Sequence, residues 1–220
     1  MRLLSIAVLL CLSALTGCEE NLDPATPQGA MHQLRDAVMA RDANAILARS
    51  SAQTHQRLAE LHTLLKEQRQ AIAERYPEEH RAAARTAYPP GVLEAADTEA
   101  LFQALVTSRL AALETTDGLR YGLTVMGTPT TDGEHSQVST QSGETFEFVL
   151  EDGRYVTTTF ERTLARNLER ARIYQQTLTE NLKVFEELKR REASRKAKEA
   201  AAAPGSDGAP AEPAAPAPPP

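Results

Sequence analysis

The side chains able to do chemistry are few and widely spaced. The chain has five histidines and two cysteines in 220 residues. His55 and His62 are seven residues apart, which puts them on one helix face but two turns apart. A shared metal ion usually draws its helical ligands from one turn, so the pair reads as surface histidines. Glu78, Glu79 and His80 are adjacent, and neighbours on a helix point in different directions. An acid or base for a pocket would have to come from Asp36, His135 or Glu147. Glu147 alternates with Phe146 and Phe148 and so faces away from them, while Asp36 lies off the face that carries Leu34 and Val38. There is no serine-centred nucleophile elbow, phosphate-cradling glycine loop or zinc spacing. These residues argue against an enzyme and call for no metal and no cofactor.

The cysteines point elsewhere. Cys11 lies in the apolar run "LLSIAVLLCLSAL" at residues 3 to 15, which follows a single charge, Arg2. At ~1.5 Å per residue this run is too short to cross a hydrocarbon core of roughly 30 Å. A charged start, an apolar middle and a small-residue end describe an export signal that is removed. The signal ends in Leu15, Thr16, Gly17 and Cys18. "LTGC" resembles the bacterial lipobox, in which the cysteine thiol is joined to diacylglycerol, the chain is cut between Gly17 and Cys18, and the new terminus is acylated. The resemblance implies a thioether at Cys18, with palmitate-type chains holding the mature protein on a membrane. Several chains anchor durably where one does not. Modification would also remove the sole cysteine of the mature chain, a free thiol that is a liability in an oxidising compartment. Glu19 follows, where aspartate in similar lipoproteins favours the inner membrane. The periplasmic face of the outer membrane is therefore the favoured location.

Composition narrows the partners. The net charge is −6, and loss of a leader whose only charge is Arg2 makes it more negative. With 5% aromatics and no tryptophan, the chain has neither the basic field nor the stacking surfaces that nucleic acid needs. One local exception is "KRREASRKAK", where Lys189, Arg190, Arg191, Arg195, Lys196 and Lys198 face the single acid Glu192. It reads either as a dock for an acidic partner or as a solvated helix end whose cations complement the macrodipole.

Around these residues the elements are legible. Thr26 and Pro27 give an N-cap and first helical position, opening an amphipathic helix to about Arg41. Asp42 caps a short turn with Ile46 and Leu47. A helix from about Ser51 to Arg75 carries Leu58, Leu61, Leu65 and Ile72 on one face. Glu78 to Tyr88 has helical propensity, and Pro89-Pro90-Gly91 breaks it. Asp97 caps a helix to about Glu114 with an apolar stripe that includes Leu101, Phe102, Leu105 and Leu113. The period then changes to two, so Leu119, Tyr121, Leu123 and Val125 read as a strand, "GTPTTDG" as a loop, and "EHSQVST", "ETFEFVL" and "RYVTTT" as further antiparallel strands. Asp152-Gly153 is the strongest hairpin signal. Residues 160–198 contain neither proline nor glycine, and such a helix would run ~58 Å if continuous. Its leucine seam, interrupted by Gln175, suits packing on the sheet or antiparallel to the Leu58 to Ile72 helix, and makes only a weak case for a coiled coil. The end holds seven of the thirteen prolines and reads as a disordered Pro/Ala tail.

The opening "TPQGAMHQLRDAVMARDANAILARSS" and the hairpin "SGETFEFVLEDGRY" resemble the two ends of bacterial lipoproteins with a nuclear transport factor two-like (cystatin-like) domain. The resemblance covers residues 26–159. It implies a cone with a pocket between sheet and helices, used by some members for catalysis and by others for binding. The stretch from Ser51 to Tyr88 is longer than in that group, and the terminal helix has no counterpart there.

The expected organisation is a signal peptide at 1–17, an anchor and tether at 18–25, an α+β cone-like domain at 26–159, a long helix at 160–198 and a tail at 199–220. The tether of about seven residues reaches only ~25 Å. The expected role is a non-catalytic binding or assembly module on the cell envelope, meeting an envelope protein or the cell wall through its C-terminal helix and tail. One alternative is a cone pocket that binds or transforms a small apolar molecule, which a core filled by Phe146, Phe148, Leu123 and Leu105 would exclude. Another is a passive envelope spacer. Oligomeric state is left open by the sequence.

Overall fold

The computed structural model describes residues 23–112 and 117–202. Cys18 and its neighbours, the leader, Leu113, Glu114 and the Pro/Ala tail lie outside the described residues. The fold is α+β. Its helices are α1 Pro27–Met39, α2 Ala43–Leu47, α3 Ala52–Arg75, α4 Glu78–Arg85, α5 Thr98–Ala112, α6 Asp117–Gly122 and α7 Glu161–Ala202. Strands β1 Thr130–Asp132, β2 His135–Ser139, β3 Thr145–Glu151 and β4 Arg154–Thr157 form an antiparallel meander in that order. The described chain falls into two compact units, one ending at Leu178 and one beginning at Thr179.

Helix starts follow their caps. The Thr26 hydroxyl accepts from the Gly29 amide at 3.1 Å, Asp42 Oδ1 from Ala45 at 2.9 Å, and Asp97 Oδ1 from Ala100 at 2.8 Å. Each satisfies an amide that the first helical turn leaves without an intrahelical acceptor. The β3–β4 turn has positive φ at both Asp152 (51°) and Gly153 (77°), the conformation a two-residue hairpin needs to match strand twist.

Strand assignment departs from the sequence pattern in two places. The stretch predicted as a strand from Leu119 to Val125 is mostly α6: the Leu123 amide donates to the Leu119 carbonyl at 3.0 Å, and Tyr121, expected on the buried face, is 66% exposed. The reason is room. β2 is already flanked by β1 and β3, so this segment meets the sheet only where Val125 bridges Thr140 beyond the end of β2. The missing strand is β1, within the predicted loop. Thr130–Asp132 is polar and exposed throughout, so it lacks alternation, but Gly133 at φ 58° makes the tight turn that pairs Asp132 with His135.

The sheet has a filled inner face. Pairing puts Ser136 beside Phe148 and Phe148 beside Thr157, and all three are buried, as is Val138. Helix α1 lies against β2 and β4, contributing buried Met31 and Leu34. The outer edge of β4 is covered rather than left open: the Thr157 amide donates to Arg49 O at 2.8 Å, Ser51 donates to Thr157 O at 3.0 Å, and Tyr155 donates to Pro24 O at 2.8 Å. An unpaired edge would invite association with other strands.

Helices α3 and α7 run parallel, not antiparallel. Near the start of both, the Ser51 hydroxyl donates to Glu161 Oε1 at 2.6 Å and Arg57 donates to Glu161 O at 2.7 Å. Further along, Gln68 Nε2 donates to Ala171 O at 2.7 Å, and Tyr76 donates to Leu178 O at 3.3 Å. The intervening sheet returns the chain to the start of α3 through the bonds between Thr157 and Arg49–Ser51, which makes the parallel arrangement possible. Among the described residues, no helix is long and apolar enough to cross a membrane.

Candidate functional site: an apolar groove with a cationic end

An apolar concavity of the first unit is built by helices and not by the sheet. A cavity of about 410 Å³ lies among Leu61 and Leu65 of α3, Leu105 of α5, Tyr88 and Val92 of the α4–α5 connection, and Ile173 and Tyr174 of α7. A second cavity of about 240 Å³ continues from it, sharing Pro89, Leu105, Asn167 and Arg170 and adding Arg109, Phe160 and Thr163. Together they follow α7 from Thr163 to Thr177, ~21 Å of helix. The volume falls within the range of small-molecule sites, roughly 300–1,000 Å³.

Local sequence explains why the groove stays open. Pro89 and Pro90 stop α4 from continuing toward α5, and Gly91 turns the chain at φ 81°. The connection therefore crosses α3 and α7 as a rim, with Val92 and Leu93 buried beneath it. Phe102 of α5 meets Phe160 edge-on with ring centroids 5.2 Å apart, holding α5 against the start of α7 at one end.

The wall is fixed by a buried polar chain. Gln68 is fully buried; its Oε1 accepts from the Tyr88 hydroxyl at 2.6 Å while its Nε2 donates to Ala171 O. One amide thus ties the rim, α3 and α7 together, and leaves little polar capacity unmet. Tyr88 also packs edge-on against Tyr174, with centroids 5.5 Å apart, and the Tyr174 hydroxyl donates to Ala84 O of α4. Burial pushes the Tyr88 hydroxyl up to about 12, against the opposing effect of its bond to Gln68. Burial also raises Tyr174, with Tyr76 adding to the effect. Both phenols are therefore neutral hydrogen-bond donors at ordinary pH.

Two cations line the groove, Arg109 in the smaller cavity alone and Arg170 where the two cavities meet. Arg109 and Arg170 line the smaller cavity together with the Asn167 amide, and neither guanidinium is held by an ion pair among the described residues. Arg172, on the same helix, differs because it is paired with Glu60.

The residues singled out from sequence do not converge on this groove. Asp36 is bonded to the buried Arg35 at 3.2 Å. His135 and Glu147 share the outer sheet face and are exposed. His55 is exposed, but His62 is not a solvated surface histidine: it is half-buried, with Nε2 3.2 Å from Ala95 O. Glu78, Glu79 and His80 are exposed in the first turn of α4. Among the described residues, no cluster of three or more histidine, cysteine or acidic side chains is arranged to hold a metal.

In the second unit, the basic segment is knitted into its own helix. Arg190 and Arg191 pair with Glu187, Lys196 with Glu192, and Arg195 with Glu199. The bond from Arg191 and the charge of Arg190 hold Glu187 below the usual carboxylate range, and Lys196 does the same for Glu192.

The sequence reading missed Gln68, Tyr88, Tyr174, Arg109 and Arg170. The visible signal was Tyr88, which ends a polar, alanine-rich stretch directly before Pro-Pro-Gly; Tyr174, inside a long helical run, gave none. Comparison of the chain with protein-family models, curated proteins and solved structures found no match.

Proposed function

We propose that this protein is a lipid-anchored, non-catalytic binding module of the cell envelope, with the helical groove as its binding surface. The observation that carries the reading is the groove itself: an apolar cavity of about 410 Å³ whose wall is locked by the Tyr88–Gln68–Ala171 chain and which is lined, among the described residues, by no acid, histidine or cysteine. Such a site can hold a ligand in one orientation but offers no nucleophile or general base to turn it over. The cone pocket expected from the cystatin-like resemblance is not the basis of this reading, because Val138 and Phe148 fill the inner sheet face.

The anchor half of the reading rests on the lipobox-like "LTGC" and on how soon the fold begins after it. Asp23 is already ordered: its carbonyl accepts from the Thr26 amide at 3.0 Å and its carboxylate from Ala25 at 2.9 Å. Five peptide steps separate Cys18 from Asp23, so an anchored Cys18 would hold this point within roughly 17 Å of the bilayer. The groove would then face ligands or partners confined to the envelope. A photocrosslinking side chain placed at Ile173, on the groove lip, is expected to give adducts in intact cells that the same group at Glu147, on the outer sheet face, does not. Identical adducts at both positions would overturn the assignment of the groove.

A further inference from the structure

Resting on that reading of the groove, we infer that its ligand is a single-chain amphiphile with one compact anionic head: the alkyl chain lies in the larger cavity, and the head sits between Arg109 and Arg170. The two connected cavities differ in chemistry. The larger is walled mainly by leucines, Val92, Ile173 and the two tyrosines, with Asn167 and Arg170 where it meets the smaller. The smaller adds Arg109 and Thr163 to that shared pair, so that four hydrogen-bond donors line it among apolar neighbours such as Phe102 and Leu164. An apolar molecule alone would make no use of the two guanidiniums beside it. A compact ion alone would leave the larger cavity unfilled.

Charge complementarity selects the sign. Neither guanidinium has an ion-pair partner among the described residues, and no acid lines either cavity. Arginine presents a planar fork of donors that matches a carboxylate, and such charge-assisted bonds are about twice as strong as neutral ones. Geometry selects a single chain. The two cavities are adjacent, share four lining residues and together follow α7 for ~21 Å in a single row. Ile173, 55% exposed, forms its lip beside Tyr174. A covering chain would bury it. The occupant is taken to be a free fatty acid and not the acyl chain of a bilayer phospholipid, because the two cavities form a single row along α7, which matches one chain.

The test uses the full chain and three probes of equal chain length, each below its micelle threshold: dodecanoate, dodecyltrimethylammonium and dodecyl maltoside. Titration calorimetry is expected to show dodecanoate binding at least tenfold tighter than the other two, an advantage that shrinks with added salt. Arg170→Gln and Arg109→Gln, both at exposed positions, should each weaken dodecanoate about tenfold and leave dodecyl maltoside unchanged. Ile173→Asp should weaken all three probes. Equal affinity for all three overturns the anionic head but leaves a binding groove. No binding by any probe, with crosslinks still specific to Ile173, overturns the amphiphile and points to a protein occupant. Binding only to phosphatidylglycerol vesicles overturns the free fatty acid in favour of a membrane lipid. Concentration-dependent dimerisation abolished by Ile173→Asp overturns the proposal in favour of a second copy in the groove.

Discussion

Tyr88→Phe isolates the polar chain that holds the groove in shape. The substitution keeps the ring and its edge contact with Tyr174, and removes only the hydroxyl that donates to Gln68 Oε1 at 2.6 Å. Gln68 is fully buried, so its oxygen is then left without a donor in a place water does not reach. Leaving a buried acceptor unmet costs about 1–3 kcal/mol. For a chain of this size each kcal/mol lowers Tm by about 2–4 °C, so a fall of roughly 2–12 °C is expected. Gln68→Leu acts differently. It removes the buried acceptor, the half-buried Tyr88 hydroxyl turns to water, and Ala171 O keeps its helical partner, so the loss should be smaller. Adding Tyr88→Phe to Gln68→Leu should then cost almost nothing further. The double-mutant cycle, measured by urea denaturation, should show a coupling of about 1–3 kcal/mol. Additive effects, or a Tyr88→Phe change below about 0.5 kcal/mol, would refute the idea that this amide ties the groove wall together.

Three further outcomes follow from the same structure. Gly29→Ala places a Cβ 2.1 Å from Asp23 O and 2.8 Å from Asp23 N, so the turn at residues 23–26 must move and the Tyr155–Pro24 bond with it; a loss of about 1–3 kcal/mol in urea denaturation is expected. Stability should fall as pH rises from 10.0 toward about 12, because the unfolded Tyr88 releases its proton there while the folded one keeps it. The contribution is fully present below pH 10.0, and the part of the slope due to this group should vanish in Tyr88→Phe; an unchanged slope would contradict the assignment. In the second unit, Glu187 and Glu192 lose their pairing charge as pH falls below 4.5 and through their depressed values, so Cα chemical shifts around residues 187–196 should move toward coil; shifts that stay helical would show that these pairs do not support the helix.

What the sequence disclosed, and what it did not, follows from the range of each interaction. Caps and turns are local, so Thr26, Asp42, Asp97 and Asp152-Gly153 announced the ends of α1, α2 and α5 and the β3–β4 hairpin. The Leu119 to Val125 alternation was local too, yet the vacancy it needed beside β2 had been taken by β1 and β3, and only pairing over the whole sheet decides that. The direction of α7 against α3 depends on bonds spanning more than a hundred residues, such as Ser51 to Glu161. The groove was hidden for a related reason. Leu105 reads as core in its helix stripe but is half-buried at the cavity wall, and Ile173 gives no sign in sequence of being 55% exposed. Gln68 looks like an ordinary polar position in α3 until Tyr88 and Ala171 are brought to it.

The assignment to the envelope stands on one bond, and intact-mass analysis of the protein recovered from bacterial membranes tests it most directly. A wild-type chain beginning at Cys18 and heavier than its sequence by a diacylglyceryl group and an acyl chain, with Cys18→Ala giving instead an unmodified chain that keeps residues 1 to 17, is the expected result. A chain that retains residues 1 to 17, or one that begins at Cys18 with an unmodified thiol, would contradict it.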